Sequence, residues 1–247
     1  PLCVQGCIFK QRTIIRGPYL QLVGFPELSS GPFQYNGNDT NQSLIDKKVK
    51  NEVIRMSKLF CDYARKSGYF GILGIDYLWD KESGDVYPQE LNTRFVGVTR
   101  LLTGMQKDIG LLPDIAVHAK EFGNAIVNKR FIEKEHNTGA YTHDYSHIVI
   151  HSNESRVLIV QNYIEPGIYE YKKGLFTLVK RSLFVEDMGP NDVLFTYSAY
   201  KDSRIPPGGM LARLILKQSV LTEGIYKLTE EKKDMFAACK NFLTQPL

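Results

Sequence analysis

The segment GILGIDYLWDKESGDVYPQELNTRFVG, residues 71–97, decides the fold of this chain. Two runs of aliphatic and aromatic residues flank a polar stretch that contains glycine, which is the pattern of a β-hairpin. We predict a first strand over Gly71–Trp79, a turn over Lys81–Asp85 and a second strand over Val86–Asn92.

The predicted hairpin places polar side chains on one face. Side chains alternate between faces along a strand, so Glu90 and Asn92 point the same way. If the turn is centred on Ser83, Asp76 lies directly opposite Glu90 on that face. Paired carboxylates repel each other, and a divalent cation between them removes the repulsion. Asn92 adds a neutral oxygen of the kind that Mg²⁺ accepts, and Arg94 adds a fork for phosphate or carboxylate. A surface hairpin with solvated acids is the alternative.

The residues GIDYL and QELNTR in this hairpin resemble the metal-binding hairpin of the ATP-grasp ligases, a superfamily that includes biotin carboxylase and the carbamoyl phosphate synthetases. The resemblance covers roughly residues 1–125 and is specific in the hairpin. It implies that Asp76, Glu90 and Asn92 are the metal ligands, and that Arg94 is a catalytic and cofactor-binding residue. Pro88 departs from the pattern, because proline cannot donate to a strand ladder and favours edges or bulges.

The resemblance implies an ATP-dependent, ADP-forming ligase that joins a carboxylate to an amine or thiol through an acyl phosphate. Its cofactors would be ATP and Mg²⁺, with Mn²⁺ as an alternative ion, and its substrates small carboxylates and amines or peptides. The family places ATP between two lobes, and only the second is matched here. We therefore expect the C-terminal part of a longer enzyme, with an N-terminal lobe supplied by the same protein or by a partner chain. The alternatives are a non-catalytic binding module and a carboxylase or carbamoyl-phosphate-type enzyme.

The expected fold class is α/β (α+β), with the second ATP-grasp lobe as an antiparallel sheet flanked by helices and a small β-rich domain after it. Apolar residues at helical spacing predict a helix over about residues 42–66 that ends at Gly68. Its expected apolar stripe contains Val49, Val53, Met56, Phe60 and Tyr63. Short β-type runs follow residue 155. We predict two domains: residues 1–135 with the Mg/ATP-binding hairpin, and residues 136–247 with a terminal helix.

Three polar segments give further predictions. Residues 25–41 are rich in Gly, Pro, Ser and Asn, and we predict a long loop there. The basic residues near the first strands are candidates for contacting polyphosphate, with solvent exposure as the alternative; they are Lys10, Arg12 and Arg16. Four histidines lie between residues 133 and 155, where we favour a linker leading into a strand over a zinc site; they are His136, His143, His147 and His151.

Bulk composition narrows the class of protein. The chain has 247 residues, 43% hydrophobic and 23% charged, which is ordinary for a soluble globular protein. A net charge of +4, spread along the chain, gives no reason to expect nucleic-acid binding. No apolar run approaches the roughly 20 residues of a membrane span, and the first ten residues do not form a secretory signal. We expect a cytoplasmic protein with four reduced cysteines, and a homo-oligomer is left open.

Overall fold

The structure is a computed structural model that describes residues 1–123, 144–222 and 226–245. Its strands are β1 (Leu2–Ile8), β2 (Thr13–Val23), β3 (Tyr35–Asp39), β4 (Gly71–Trp79), β5 (Val86–Asn92), β6 (Ser146–His151), β7 (Leu158–Ile159), β8 (Gly167–Lys172), β9 (Leu175–Lys180), β10 (Asp192–Ser198), β11 (Arg204–Ile205) and β12 (Met210–Leu216). Its helices are α1 (Lys47–Lys66), α2 (Gly97–Asp108), α3 (Asp114–Gly123) and α4 (Glu230–Thr244). The predicted class, α/β (α+β) with antiparallel pairing and flanking helices, is confirmed.

The chain divides into two compact units. The described residues of the first unit are 1–20 and 40–123, and those of the second are 21–39, 144–222 and 226–245. The predicted domain boundary at residues 135 and 136 lies outside the described residues, as do His136 and His143. In the residues that are described, no helix is long and apolar enough to cross a membrane.

The first unit contains an antiparallel sheet in the order β5-β4-β1-β2. One face of this sheet is covered by α1, which contacts β1, β4 and β5. The opposite face contacts α3, whose Val117 joins a buried cluster with Cys7 and Ile72. The sheet therefore has helices on both faces, and α2 leads directly out of the end of β5.

Helix α1 ends as its sequence predicts, but it begins at Lys47 and not near residue 42, where the structure has a short 3₁₀ helix over Gln42–Leu44. The Asp46 carboxylate accepts hydrogen bonds from the N–H groups of Lys48 and Val49, and so caps the first turn. Gly68 has a positive φ of 85°, which suits the position after a helix C-terminus. The predicted apolar stripe is wrong in its second half, where Tyr63 is exposed and the buried side chains are Ser57, Cys61 and Ala64. The reason is that α1 packs closely on β1 at Gly6, so small side chains of the helix face the sheet.

The second unit contains strands in the order β3-β6-β12-β10-β8-β9, all paired antiparallel, and a separate pair of β7 with β11. Helix α4 carries a buried face with Met235, Phe236, Cys239 and Leu243. His147 and His151 lie in β6, so the histidine-containing segment leads into a strand as predicted, while most of the expected linker lies outside the described residues.

The predicted loop over residues 25–41 is wrong over β3. Its polar side chains are buried and hydrogen-bonded instead of solvated. Asn36 accepts a hydrogen bond from the Phe25 N–H, and Asp39 accepts two, from Ser219 Oγ and Val220 N. The backbone of β3 also lies so close to β6 that a Cβ at Gly37 would be 1.7 Å from the His147 carbonyl oxygen. Composition indicates a loop here because these partners are far away in sequence.

Candidate metal centre

The predicted hairpin is present with the predicted strand bounds. Strands β4 and β5 pair antiparallel, and the connecting turn is closed by hydrogen bonds from Gly84 N to Asp80 O and from Asp80 N to Asp85 O, both 2.9 Å. Asp80 also accepts from the N–H groups of Glu82 and Ser83. The hydrogen bond from Glu82 is the largest cause that lowers the pKa of Asp80. The turn is thus held by local polar contacts and fixes the register of the two strands.

That register places Asp76 directly opposite Glu90, and Gly74 directly opposite Asn92. The register then shifts, because Tyr77 is opposite Pro88 and Gln89 is the extra residue of a β-bulge. Proline donates no hydrogen bond, so a bulge on an edge strand is a site where the sheet tolerates it. The departure at Pro88 therefore leaves the pairing of the two carboxylates intact.

Three of the four predicted site residues converge on one face of the sheet, which we call the metal face. Asp76 is half-buried, Glu90 is exposed and Asn92 is 8% exposed. The Asn92 Nδ2 group donates to Asp76 Oδ2 over 3.2 Å, which leaves the amide oxygen of Asn92 directed away from that contact. Two carboxylates and an amide oxygen are oxygen ligands of the kind that suits a hard divalent cation.

The fourth predicted residue, Arg94, follows the end of β5. Its backbone N–H donates to the Asn92 carbonyl at 2.9 Å, and its side chain is exposed, with Nη1 donating to the Phe95 carbonyl at 3.2 Å. A guanidinium has five N–H donors, so most of the fork is not used by this contact. Among the residues that the structure describes, no three His, Cys, Asp or Glu side chains are placed to hold a metal ion. The candidate set has two carboxylates and an amide.

Sequence reasoning missed a buried polar network that lies on the same face. Because strand pairing puts opposite residues on one face, Arg16, Gln5, Gly74 and Asn92 form one row across the four strands. Gln5 accepts a hydrogen bond from Thr99 Oγ1 at 2.7 Å, and Thr99 also accepts from the Val96 N–H at 3.1 Å. These contacts tie the start of α2 to β1, beside the candidate ligands.

Arg16 does not act as the predicted polyphosphate contact. Its side chain is 3% exposed and forms a two-pronged ion pair with Asp114, from Nε to Oδ2 at 2.9 Å and from Nη2 to Oδ1 at 2.8 Å. Gln106 Oε1 accepts from the Asp114 N–H at 3.0 Å and completes the support of α3. Burial, followed by the Asp114 charge, raises the pKa of the neighbouring Cys7 thiol well above its ordinary value. Arg16 is therefore a positioning residue of the interior.

Gly74 marks the place where α2 meets the metal face. A Cβ at this position would lie 2.4 Å from Cγ1 of Val96, the residue before α2. Glycine therefore allows the chain that leaves Arg94 to turn back over the row that contains Asn92. A local signal for this packing exists in the sequence, since the glycine interrupts an otherwise bulky strand.

No family model and no curated protein matches this chain. Solved structures of similar fold include biotin carboxylase from Campylobacter jejuni, with a TM-score of 0.50 and 16% identity, over 88% of this chain and 41% of that one. The biotin carboxylase domain of Hydrogenobacter thermophilus 2-oxoglutarate carboxylase, in complex with Mg-ADP and bicarbonate, matches with a TM-score of 0.54 and 14% identity over the same shares. Pyruvate carboxylase from Rhizobium etli matches with a TM-score of 0.53 and 12% identity, over 87% of this chain and 18% of that one.

These are ATP-grasp enzymes, and the likeness shows that the chain has the fold that they share over the matched region. The predicted resemblance is thereby confirmed at the level of fold. This chain spans less than half the length of each of these proteins.

Proposed function

We propose that this chain is part of an ATP-dependent, ADP-forming ligase that activates a carboxylate as an acyl phosphate and passes it to an amine or thiol. The observation that carries the proposal is the register of the hairpin, in which Asp76 is opposite Glu90 while Asn92 donates to Asp76. Like charges directly opposite are unfavourable in a sheet, so this pairing needs a cation or another compensation. The ATP-grasp fold supports the same proposal.

Each residue of the candidate site has its own proposed role. Asp76, Glu90 and Asn92 would hold Mg²⁺, which when bound would offset the charge of the nucleotide phosphates. Arg94, whose guanidinium is exposed and which follows Asn92 by two residues, would bind phosphoryl or carboxylate oxygens through two parallel hydrogen bonds. The contact between Thr99 and Gln5 would keep the chain after Arg94 in place. None of these residues acts as a nucleophile.

The direct test is calorimetric titration of the chain with Mg²⁺ and a non-hydrolysable ATP analogue. Glu90→Ala removes one carboxylate, and we expect it to abolish binding. Glu82→Ala is the matched control, because Glu82 is an exposed glutamate in the turn of the same hairpin. Binding that is equal in the wild type and Glu90→Ala would contradict the assignment of Glu90 as a metal ligand.

A carboxylase-type reaction is the second candidate. The observation that favours it is that the similar structures named above are carboxylases, one of them in complex with Mg-ADP and bicarbonate. The two candidates differ in the acceptor of the phosphoryl group. Release of ADP that depends on bicarbonate alone would favour a carboxylase, whereas release that needs an organic carboxylate and an amine or thiol would favour a ligase.

Turnover would need a first ATP-grasp lobe, from the same protein or from a partner chain. This part of the proposal is supported by coverage, because the chain matches 41% of the biotin carboxylase from Campylobacter jejuni. We expect ATP hydrolysis by the chain only when such a lobe is added. A non-catalytic module would instead bind its partner equally well with and without Glu90→Ala and release no ADP in any combination.

A further inference from the structure

The second unit contains a half-open pocket that the proposed function does not use. Its volume is about 340 Å³, and its walls come from residues 23–27, at and after the end of β2, from residues 226–228, and from Lys233 in the first turn of α4. Pockets of about 300–1,000 Å³ with mostly apolar walls and a few polar groups are typical ligand sites. A volume at the lower end of this range indicates a small molecule and not a nucleotide or a long peptide.

Hydrogen bonds fix the two main walls of this pocket. In the first wall, the Phe25 N–H donates to Asn36 Oδ1 at 3.1 Å. In the second wall, the Tyr226 hydroxyl donates to the Gln21 carbonyl and accepts from the Val23 N–H at 3.2 Å. The pocket is therefore built into the fold, and the Tyr226 hydroxyl is already engaged by the backbone of β2.

Aromatic and aliphatic side chains form the apolar part of the lining. The rings of Phe25 and Tyr226 are tilted by 57° to each other, and their centroids are 4.9 Å apart. Leu228, which is buried, also lines the pocket. Such a surface suits the aliphatic or aromatic body of a ligand, because contact with it removes apolar area from water.

Among the described residues, none donates a hydrogen bond to the carboxylate of Glu27, which lines the pocket. The Lys233 ammonium is 3.7 Å away, which is longer than a hydrogen bond, and it donates instead to Glu230 at 2.8 Å. Lys240 also places its charge near Glu27, but its Nζ donates to Asn153 Oδ1 at 3.0 Å. Glu27 thus has neighbouring positive charge but no donor, and an N–H group of a ligand can supply one.

The ammonium of Lys227 is the complementary charged group of the lining. It is exposed, and it forms no ion pair or hydrogen bond with residues 1–123, 144–222 or 226–245. A carboxylate is a natural partner for such an ammonium. The charged groups in and next to the pocket have a net charge of +1, which disfavours a ligand that is only a cation; they are Glu27, Glu230, Lys227, Lys233 and Lys240. Glu27 in turn disfavours a dianion such as phosphate.

We propose that this pocket binds an α-amino acid with an apolar side chain. The ammonium group of the amino acid donates to Glu27, and its carboxylate pairs with Lys227. Its side chain packs on the rings of Phe25 and Tyr226. A carboxylate without an amino group would leave Glu27 without a donor, and an amine without a carboxylate would leave Lys227 unpaired in a region of net positive charge. This inference does not depend on the proposed function.

Three related probes test which groups of the ligand the pocket recognises. Phenylalanine, phenylpropionate and phenethylamine share a phenyl group, but phenylpropionate lacks the ammonium and phenethylamine lacks the carboxylate. In ligand-observed NMR titrations of the whole chain, we expect phenylalanine to bind about tenfold more tightly than either analogue, because each analogue loses one charged hydrogen bond. Equal affinity for phenylalanine and either analogue would overturn the proposal, since the pocket would then not read both ends of the amino acid.

Two substitutions that preserve size locate the binding to this pocket. Glu27→Gln should weaken phenylalanine binding by about tenfold without weakening phenylpropionate, because only the ammonium contacts Glu27. Lys227→Gln should weaken phenylalanine and phenylpropionate by about tenfold without weakening phenethylamine. Glu154→Gln and Lys201→Gln, at exposed positions of the same unit, are the matched controls and should change no affinity. Phenylalanine binding that is unchanged in either pocket variant, or a wild-type chain that binds none of phenylalanine, leucine and methionine, would overturn the proposal.

Discussion

Arg16 shows how much a single residue depends on distant sequence. Its position among several basic residues near a turn predicts that its side chain is on the surface. The side chain is only 3% exposed, however, and pairs with Asp114. Its partner lies 98 positions further along the chain, so no local pattern indicates the pair. The pair of Asp76 and Glu90, in contrast, can be predicted from local sequence. The two-residue period of a strand and one glycine-containing turn suffice to place these carboxylates opposite each other.

We expect Asp114→Asn to lower the free energy of unfolding by about 3–5 kcal/mol, because it removes the carboxylate charge that faces the buried Arg16 guanidinium. Urea denaturation measures the change. The double variant Arg16→Met with Asp114→Leu should lose much less than the sum of the single variants, since neither charge is then buried. As a surface comparison, Glu52→Ala breaks the exposed pair with Arg55 and should cause no measurable change. Additive losses in the double variant would contradict this account of the pair.

Lys240 gives the second unit a pH dependence. Burial is the largest cause that lowers its pKa to about 8, whereas an unfolded lysine titrates near about 10.4. Between these values the unfolded state binds more protons, so the free energy of unfolding should rise with pH from about 8 to about 10.4. The slope should shrink in Lys240→Gln and persist in Lys47→Gln, an exposed control. Parallel profiles for the wild type and Lys240→Gln, measured by urea denaturation, would count against a depressed pKa.

At the scale of elements, α1 shows that the sequence predicts the end of a helix better than its start or its buried face. Capping residues and apolar spacing define its ends, whereas the face is decided by the sheet beneath it. Gly6 of β1 allows Cys61 of α1 to come close, and Ser57 Oγ lies 2.7 Å from the Tyr77 hydroxyl. Small residues therefore lie at the contact, and the larger Tyr63 is turned outward. A glycine on another element is invisible to a helical-periodicity argument.

We expect Gly6→Ala to destabilise the first unit by about 1–3 kcal/mol, because its Cβ would be 2.6 Å from Cys61 Sγ and 3.0 Å from Leu73 Cδ1. Combining it with Cys61→Ala should recover part of the loss, since the nearest clashing atom is removed. A double-mutant cycle by urea denaturation measures this coupling. Zero coupling between the two positions would show that the helix does not limit the space at Gly6.

At the scale of the whole molecule, the fold class and the antiparallel pairing can be predicted from the sequence. Which segments of the chain make up the second unit cannot be predicted in this way. Residues 21–39 belong to the same unit as the strands that begin at β6, although the whole first-unit segment from residue 40 to 123 intervenes. Strand β3 is recognisable only once its buried partners are known, as the contacts of Asn36 and Asp39 show. The domain division at residues 135 and 136 stays a prediction.

Ligand binding should be visible as a gain in global stability. At a nucleotide concentration of about 100 times Kd, Mg²⁺ with the ATP analogue should stabilise the chain by about 2.7 kcal/mol. Glu90→Ala should lose this gain, while its stability without ligand should equal or exceed that of the wild type, since the opposed charge of Asp76 is relieved. Thermal unfolding with and without ligand measures both effects. A variant that is already less stable without ligand would indicate a structural role for Glu90.

The buried carboxylate of Asp39 has a consequence for synthesis on the ribosome. Its partners Ser219 and Val220 follow 180 and 181 residues later, so they emerge long after β3 has left the exit tunnel. At typical translation speeds this interval is roughly 10–40 s. During that time the Asp39 carboxylate has neither of these two partners, although β6, which pairs with β3, is made well before them. Pulse proteolysis of nascent chains should therefore find this segment more sensitive before residue 220 has left the exit tunnel than after it.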